Sequence, residues 1–476
     1  MNSNLNRRRW LQMAGTAAGA LGTGSLGNLL LATQEARAAG DYKALVCVFL
    51  YGGNDGLNSI VPTDATRYNQ YSSVRGALAL PQGSLVGLAN SDYGLHPSLA
   101  RLEPVWRAGH LAPVFNVGPL YAPVTKAEFM AAPASSPLRP DALFSHSDQQ
   151  TLWETGGTNA LWRTGWGGRA SVTMGTANPV ISVGGNGRFG LSLQAAPLVL
   201  PAPGSTLGVI GIQGADLTYG PAARRKEALE AMYAQSQNLN LATALSAQHA
   251  KANEAAARLS NVVKVQPGDA NASAGINAGF ANVISGGQLT SGLAKQMYQI
   301  AKLVEANATV GGNRQIFFAT LGGFDTHAGQ IGTAVTNGLH ANLLKELGDA
   351  LAAFNAAMAN IGMGQQVTTF TQSDFGRTFK PNNSKGTDHA WGNMHFVMGG
   401  AVKGGMTYGA YPELVLGGPN DAGDSGWEKQ GRWIPTASVD QYAATLLRWF
   451  GAGEAQLDEI LPNLRNFGTK RSLGFV

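Results

Sequence analysis

The sequence predicts an α/β protein, a three-layer sandwich on a mainly parallel sheet with a helical insertion. Two observations carry that prediction. Short apolar runs stop abruptly at glycines or polar residues, the pattern of strands buried on both faces. Between those runs lie longer Ala-, Glu-, Gln- and Lys-rich stretches of helical character, and strands that alternate with helices build parallel sheets.

Taken in chain order, the first element is an address. Arg7, Arg8 and Arg9 precede Trp10 and Leu11, a weakly apolar Gly/Ala-rich stretch runs from Met13 to Ala32, and Ala36-Arg37-Ala38 offers small residues for cleavage. This is the three-part pattern of a twin-arginine signal over residues 1–38. The translocase is then a partner during export, and the mature chain works in the periplasm or at the cell surface. Gly15, Gly19, Gly22, Gly24 and Gly27 make the stretch a poor permanent membrane span.

The formal charge is +5, but Arg7, Arg8, Arg9, Arg37 and Glu35 all lie in that leader. Roughly +2 remains for residues 39–476, with no Lys/Arg block of the kind that binds nucleic acid. Cys47 is the only cysteine, so an oxidising compartment is met without disulfides.

Residues 39–476 read as one α/β domain. Lys43–Leu50 is the strongest strand, ending at Gly52-Gly53. Leu111–Val117, Pro179–Val183, Leu207–Ile212, Gln315–Leu321, Gln366–Thr371 and His395–Met398 are expected to follow. Helical patterns cover Ala222–Val263, Leu289–Glu305, Val335–Asn360 and Val439–Phe450. Gln266–Ser285 reads as a flexible loop, and 222–285 as the inserted cap.

Ligands in open α/β sheets sit beyond the carboxyl ends of strands, so polar residues at those ends are the candidates. Asp55 lies in Tyr51-Gly52-Gly53-Asn54-Asp55-Gly56-Leu57-Asn58. Asp325 and His327 lie in Gly322-Gly323-Phe324-Asp325-Thr326-His327, two residues apart and thus on one side of extended backbone. Asp374 and Arg377 lie in Ser373-Asp374-Phe375-Gly376-Arg377-Thr378, and Asp388 and His389 follow in a glycine-rich loop. Carboxylate with imidazole suits Zn²⁺, Mn²⁺ or Fe²⁺. Arg377 could hold an anionic substrate bidentately or pair with Asp374. Ser145 and Ser147 flank His146, which invites a nucleophile, although an N-cap explains them equally well. His395 stands close enough to serve as a spare ligand, whereas His96, His110, His249 and His340 read as surface or packing residues.

These segments, with Gly165-Trp166-Gly167-Gly168-Arg169, Asp440-Gln441-Tyr442-Ala443-Ala444-Thr445-Leu446-Leu447 and Leu461-Pro462-Asn463-Leu464, resemble the domain of unknown function 1501 family of twin-arginine-exported bacterial proteins. That family is similar in turn to the alkaline phosphatase and sulfatase superfamily. The likeness implies an alkaline-phosphatase-like fold and a hydrolase of phosphate or sulfate esters, on small or polymeric anionic substrates. It also implies one or two divalent ions (Zn or Mn, with Ca or Mg as alternatives). By the same likeness Asp55, Asp325, His327, Asp374, Asp388 and His389 are metal ligands. Ser145 or Ser147 would be the nucleophile beside His146, with Arg377 on the non-bridging oxygens. The superfamily's Asp-His dipeptide is interrupted here by Phe375. That departure keeps a second class open, a non-catalytic binding or assembly protein of the envelope. A metal-free serine hydrolase is the third.

Overall fold

A computed structural model describes residues 41–208, 212, 219–235, 240–423 and 428–476. The expected signal at 1–38 lies outside the described residues. The centre of the fold is a mixed nine-stranded sheet with helices on both faces. Its strands are β1 (Lys43–Leu50), β2 (Leu111–Gly118), β3 (Ile181–Ser182), β4 (Leu198–Val199), β5 (Arg314–Leu321), β6 (Val367–Ser373), β7 (Asn393–Met398), β8 (Tyr408–Gly409) and β9 (Ala437–Ser438). Across the sheet the order is β8-β2-β7-β6-β1-β5-β3-β4, with β9 also pairing β2. Only β7 runs antiparallel to its neighbours, β6 and β2.

Strand β1 shows why the chain folds in three layers. Its side chains alternate between the two faces, and both faces are apolar. Ala44, Val46, Val48 and Leu50 enter one core, while Leu45, Cys47 and Phe49 enter the other. The first core is shared with α1 (Ala65–Arg75), α6 (Gly292–Glu305) and α7 (Leu339–Asn360). The second is shared with α2 (His146–Thr155), α3 (Trp166–Thr173) and α8 (Val439–Phe450). Ser438 starts α8 with a capping box, its hydroxyl accepting from Gln441 N while the Gln441 side chain accepts from Ser438 N.

In sequence between α3 and α6, α4 (Gly220–Ala234) and α5 (Asn240–Val263) occupy the stretch expected to carry two helices. The carboxyl end of α5 is fastened to α6: the Lys302 ammonium donates to the carbonyls of Val262, Val263 and Val265 at 2.9, 3.0 and 2.6 Å. Among the described residues, no helix is long and apolar enough to cross a membrane.

The middle of the strand expected at 207–212, residues 209–211, lies outside the described residues, and the described sheet edge on this side is the two-residue Leu198–Val199. One expectation fails for a local reason. Gln266–Ser285 is structured rather than loose. Ser273 caps a short helix by accepting from Ile276 N, and Ile276 and Phe280 are fully buried.

What matters for function is register. β1 lies parallel between β5 and β6, with Leu50 level with both Leu321 and Ser373. The segments that follow these three strands therefore leave the sheet side by side.

Candidate metal centre

Two of those segments, and the start of α2, converge on one point. Asp325 and His327 follow β5, His389 follows β6 after a longer loop, and His146 is the first residue of α2. One donor atom from each lies within 4.8 Å of all the others. Asp325 Oδ1 stands 3.3 Å from His146 Nε2, 3.3 Å from His327 Nε2 and 3.6 Å from His389 Nε2. The Nε2 atoms of His327 and His389 are 2.7 Å apart.

The outward nitrogens decide what the inward ones are. His146 Nδ1 donates to Asp374 Oδ2 at 2.7 Å, His327 Nδ1 to Asp388 Oδ1 at 2.9 Å, and His389 Nδ1 to the Phe144 carbonyl at 2.6 Å. A carboxylate or carbonyl oxygen only accepts, so each Nδ1 carries the proton. In its neutral form each ring then presents a bare lone pair at Nε2. Three ring nitrogens and a carboxylate oxygen face one another, the oxygen also accepting from Arg377 Nη2, and His146 Nε2 is buried without a hydrogen-bond partner. Such a set fits a cation. Imidazole held by an outer acceptor is also how proteins orient metal-binding histidines.

Electrostatics follow the same pattern. The bond to Asp374 raises the His146 pKa against the opposing effect of burial. Burial lowers that of His389. Burial alone would raise the Asp325 carboxyl, but the Arg377 guanidinium holds it below the ordinary range. Exposure is uneven: the side chain of Asp325 is 49% exposed and that of His327 45%, against 18% for His389. One side of the cluster is thus open to solvent.

The remaining candidates lie around this point. Asp374 is fully buried and does not face the cluster with a free oxygen. It accepts from His146, from Gln150 Nε2 at 2.9 Å and from Gly52 N at 3.1 Å. Asp388 faces His327 Nδ1 and Asn382 Nδ2. Arg377, expected to hold an anion, is committed to the protein instead. Its Nε donates to Gly53 O at 2.9 Å and its Nη1 to Thr387 O at 3.0 Å. Its Nη2 serves Gly52 O, Phe324 O and Asp325 Oδ1. Asp55 sits apart, in a fully buried bidentate pair with Arg75 at 2.6 and 2.8 Å. Ser145 Oγ and Ser147 Oγ are 3.2 Å from each other, and Ser147 makes a long 3.4 Å contact with Asp148. His395 is buried in β7 against Trp153, outside the cluster.

Two contributors escaped the sequence reading. Gln150 lies one helical turn after His146, and both reach Asp374; that i,i+4 spacing was the available signal. Phe375 packs its ring against His146 and His389, with centroids 4.8 and 4.4 Å away. The tight approach of the strand ends needs glycine at Gly52, where φ is +110° and a Cβ would stand 2.4 Å from Asp325 N.

The sequence pattern of the family described as Protein of unknown function (DUF1501) matches residues 42–417. The chain belongs to that family. All four converging residues of this DUF1501 chain fall within the match. No curated protein matches it. Among solved structures, the crystal structure of Ps i-CgsB in complex with k-i-k-neocarrahexaose is 10% identical. It covers 90% of this chain and 77% of that one, with a TM-score of 0.35. The crystal structure of Ps i-CgsB is 11% identical over the same shares, with a TM-score of 0.32.

Proposed function

We propose that this chain is an exported metal-dependent hydrolase of phosphate or sulfate esters. It would hold one divalent cation on His146, Asp325, His327 and His389. The observation that carries the proposal is the facing set of three Nε2 lone pairs and one carboxylate oxygen. Three nitrogens and one oxygen favour Zn²⁺ or Mn²⁺ over Ca²⁺ or Mg²⁺, which prefer oxygen ligands. A second ion has no support at Asp55, whose carboxylate is neutralised by Arg75.

When bound, the cation supplies Lewis-acid polarisation of an ester oxygen. The chain's own residues supply the rest. Asp374, Asp388 and the Phe144 carbonyl fix the three rings, and Arg377 fixes Asp325. The exposed side of Asp325 and His327 leaves room for a substrate group. Ser145 and Ser147 lie at the amino end of α2, a ten-residue helix whose free N–H groups favour a developing negative charge on either hydroxyl oxygen. Export rests on the Arg7-Arg8-Arg9 leader pattern.

A non-catalytic binding role is the second reading. It is favoured by the two serine hydroxyls bonding each other rather than an imidazole base. Metal analysis of protein recovered from its export route, with an aryl phosphate and aryl sulfate screen, separates the two. The hydrolase gives one ion per chain and turnover that is lost in Asp325→Ala and His327→Ala. Metal without turnover leaves the binding role, and a chain that takes up neither Zn²⁺ nor Mn²⁺ overturns the first reading.

A further inference from the structure

The buried Asp55–Arg75 pair is connected to the cluster by one side chain, that of Gln330. Its Nε2 donates to Asp55 Oδ2 at 2.7 Å. Its Oε1 accepts from Thr326 Oγ1 at 3.1 Å and from Thr387 Oγ1 at 2.8 Å. Thr326 stands between Asp325 and His327, and Thr387 immediately precedes Asp388 and His389. A single amide, fully buried, therefore bonds both loops that bring donors to the cluster. The backbone repeats the link, since Thr387 N donates to Thr326 O at 3.1 Å and Gln330 N to Lys385 O at 3.1 Å.

We infer that Gln330 is a positioning residue that sets the spacing between the Asp325/His327 loop and the Asp388/His389 loop, with Asp55 and Arg75 as its fixed anchor. The inference rests on the metal-binding reading of the cluster. The amide can sit only one way round. Asp55 offers acceptors alone, so it takes the NH₂ end, and both lone pairs of Oε1 are then used by the two hydroxyls. The anchor is stiff because Arg75 and Asp55 are both fully buried, paired through two charge-assisted bonds. Near the far end of this chain of bonds lie His327 Nε2 and His389 Nε2, 2.7 Å apart and carried by the two loops that Gln330 joins. Loss of the amide leaves only the backbone link to hold the two loops at that spacing. Glutamate at this place does worse, since its carboxylate would face that of Asp55.

The test is Co²⁺ binding by Gln330→Leu, Gln330→Glu and the double variant Thr326→Val/Thr387→Val. Lys302→Met serves as a control, a buried polar loss on the carboxyl end of α5. Gln330→Leu and the double variant are expected to lose about tenfold or more in Co²⁺ affinity and to shift the visible Co²⁺ band. Lys302→Met, though destabilised, keeps both. Native affinity and spectrum in folded Gln330→Leu overturn the inference. If the native chain binds no Co²⁺, the metal reading fails separately. Histidine ring NMR of metal-free protein then decides. Signals of His327 and His389 that move in Gln330→Leu support positioning, and unmoved signals overturn it.

Discussion

Asp374 Oδ2 accepts from His146 Nδ1 at 2.7 Å, across 228 residues of sequence, and this one bond turns the bare Nε2 of His146 toward Asp325. The same carboxylate accepts from Gly52 N and Gln150 Nε2, so it is itself held by the turn after β1 and by α2. Asp374→Ala removes the acceptor while leaving all four converging residues in place. Outer partners of this kind are typically worth 10–100-fold in metal affinity. Zn²⁺ affinity, measured by chelator competition, is expected to fall by about that factor. Undiminished affinity would show that the ring is held by packing against Phe375 alone.

Arg377 separates a structural clamp from a substrate clamp. Its guanidinium serves the carbonyls of Gly52, Gly53, Phe324 and Thr387 as well as Asp325. Arg377→Met strands those buried acceptors, each costing about 1–3 kcal/mol when left unpaired. Denaturant unfolding is expected to show a loss of more than about 3 kcal/mol, with Arg377→Lys in between. Were Arg377 a substrate contact with nothing else to do, stability would hold and only KM would rise.

Asp55 supports a prediction that distinguishes an anchor from a ligand. Removing one partner of a buried ion pair costs about 3–5 kcal/mol because the other charge stays uncompensated. Asp55→Asn still accepts from Arg75, so the lower end of that range is expected. The metal content at saturating Zn²⁺ should remain that of the native chain. A fall in stoichiometry, read by elemental analysis of folded protein, would return Asp55 to the ligand set.

These residues also show how far the sequence could be read. β1 and β5 were legible because each is buried on both faces and ends in glycines, which leaves few alternatives for an apolar run of that length. Asp325 and His327 were legible from position alone, as polar residues directly after such a strand. The division of labour among the acids was not. Asp374, Asp388 and Asp55 all follow strands, yet two face the Nδ1 atoms of imidazoles and the third faces Arg75. Partners this remote in sequence leave no local trace. His146 suffered most, because its two serine neighbours drew attention to hydroxyl chemistry while its ring reached toward Asp374. The two-residue strands β4, β8 and β9 carry too few positions for any periodicity to show.

His395 supports a pH prediction free of the cluster. It is fully enclosed in β7, its Nδ1 lies 3.3 Å from Thr371 Oγ1, and its Nε2 has no partner. Burial lowers its pKa from 6.5 to about 3. Between those values the unfolded chain binds a proton at this site and the folded chain does not. Acid therefore favours unfolding, and the stability held above pH 6.5 is progressively lost as pH falls toward 3. The slope is about 1.4 kcal/mol per pH unit for one such group. His395→Phe fills much the same space against Trp153 and Tyr442 but cannot take up the proton. Its unfolding free energy, measured in denaturant at pH 6.5, 5.5 and 4.5, should gain on the native chain by about 1.4 kcal/mol per unit of acidification. Parallel curves for the two proteins would mean that His395 protonates in the folded state, and that a water or a local opening reaches its ring.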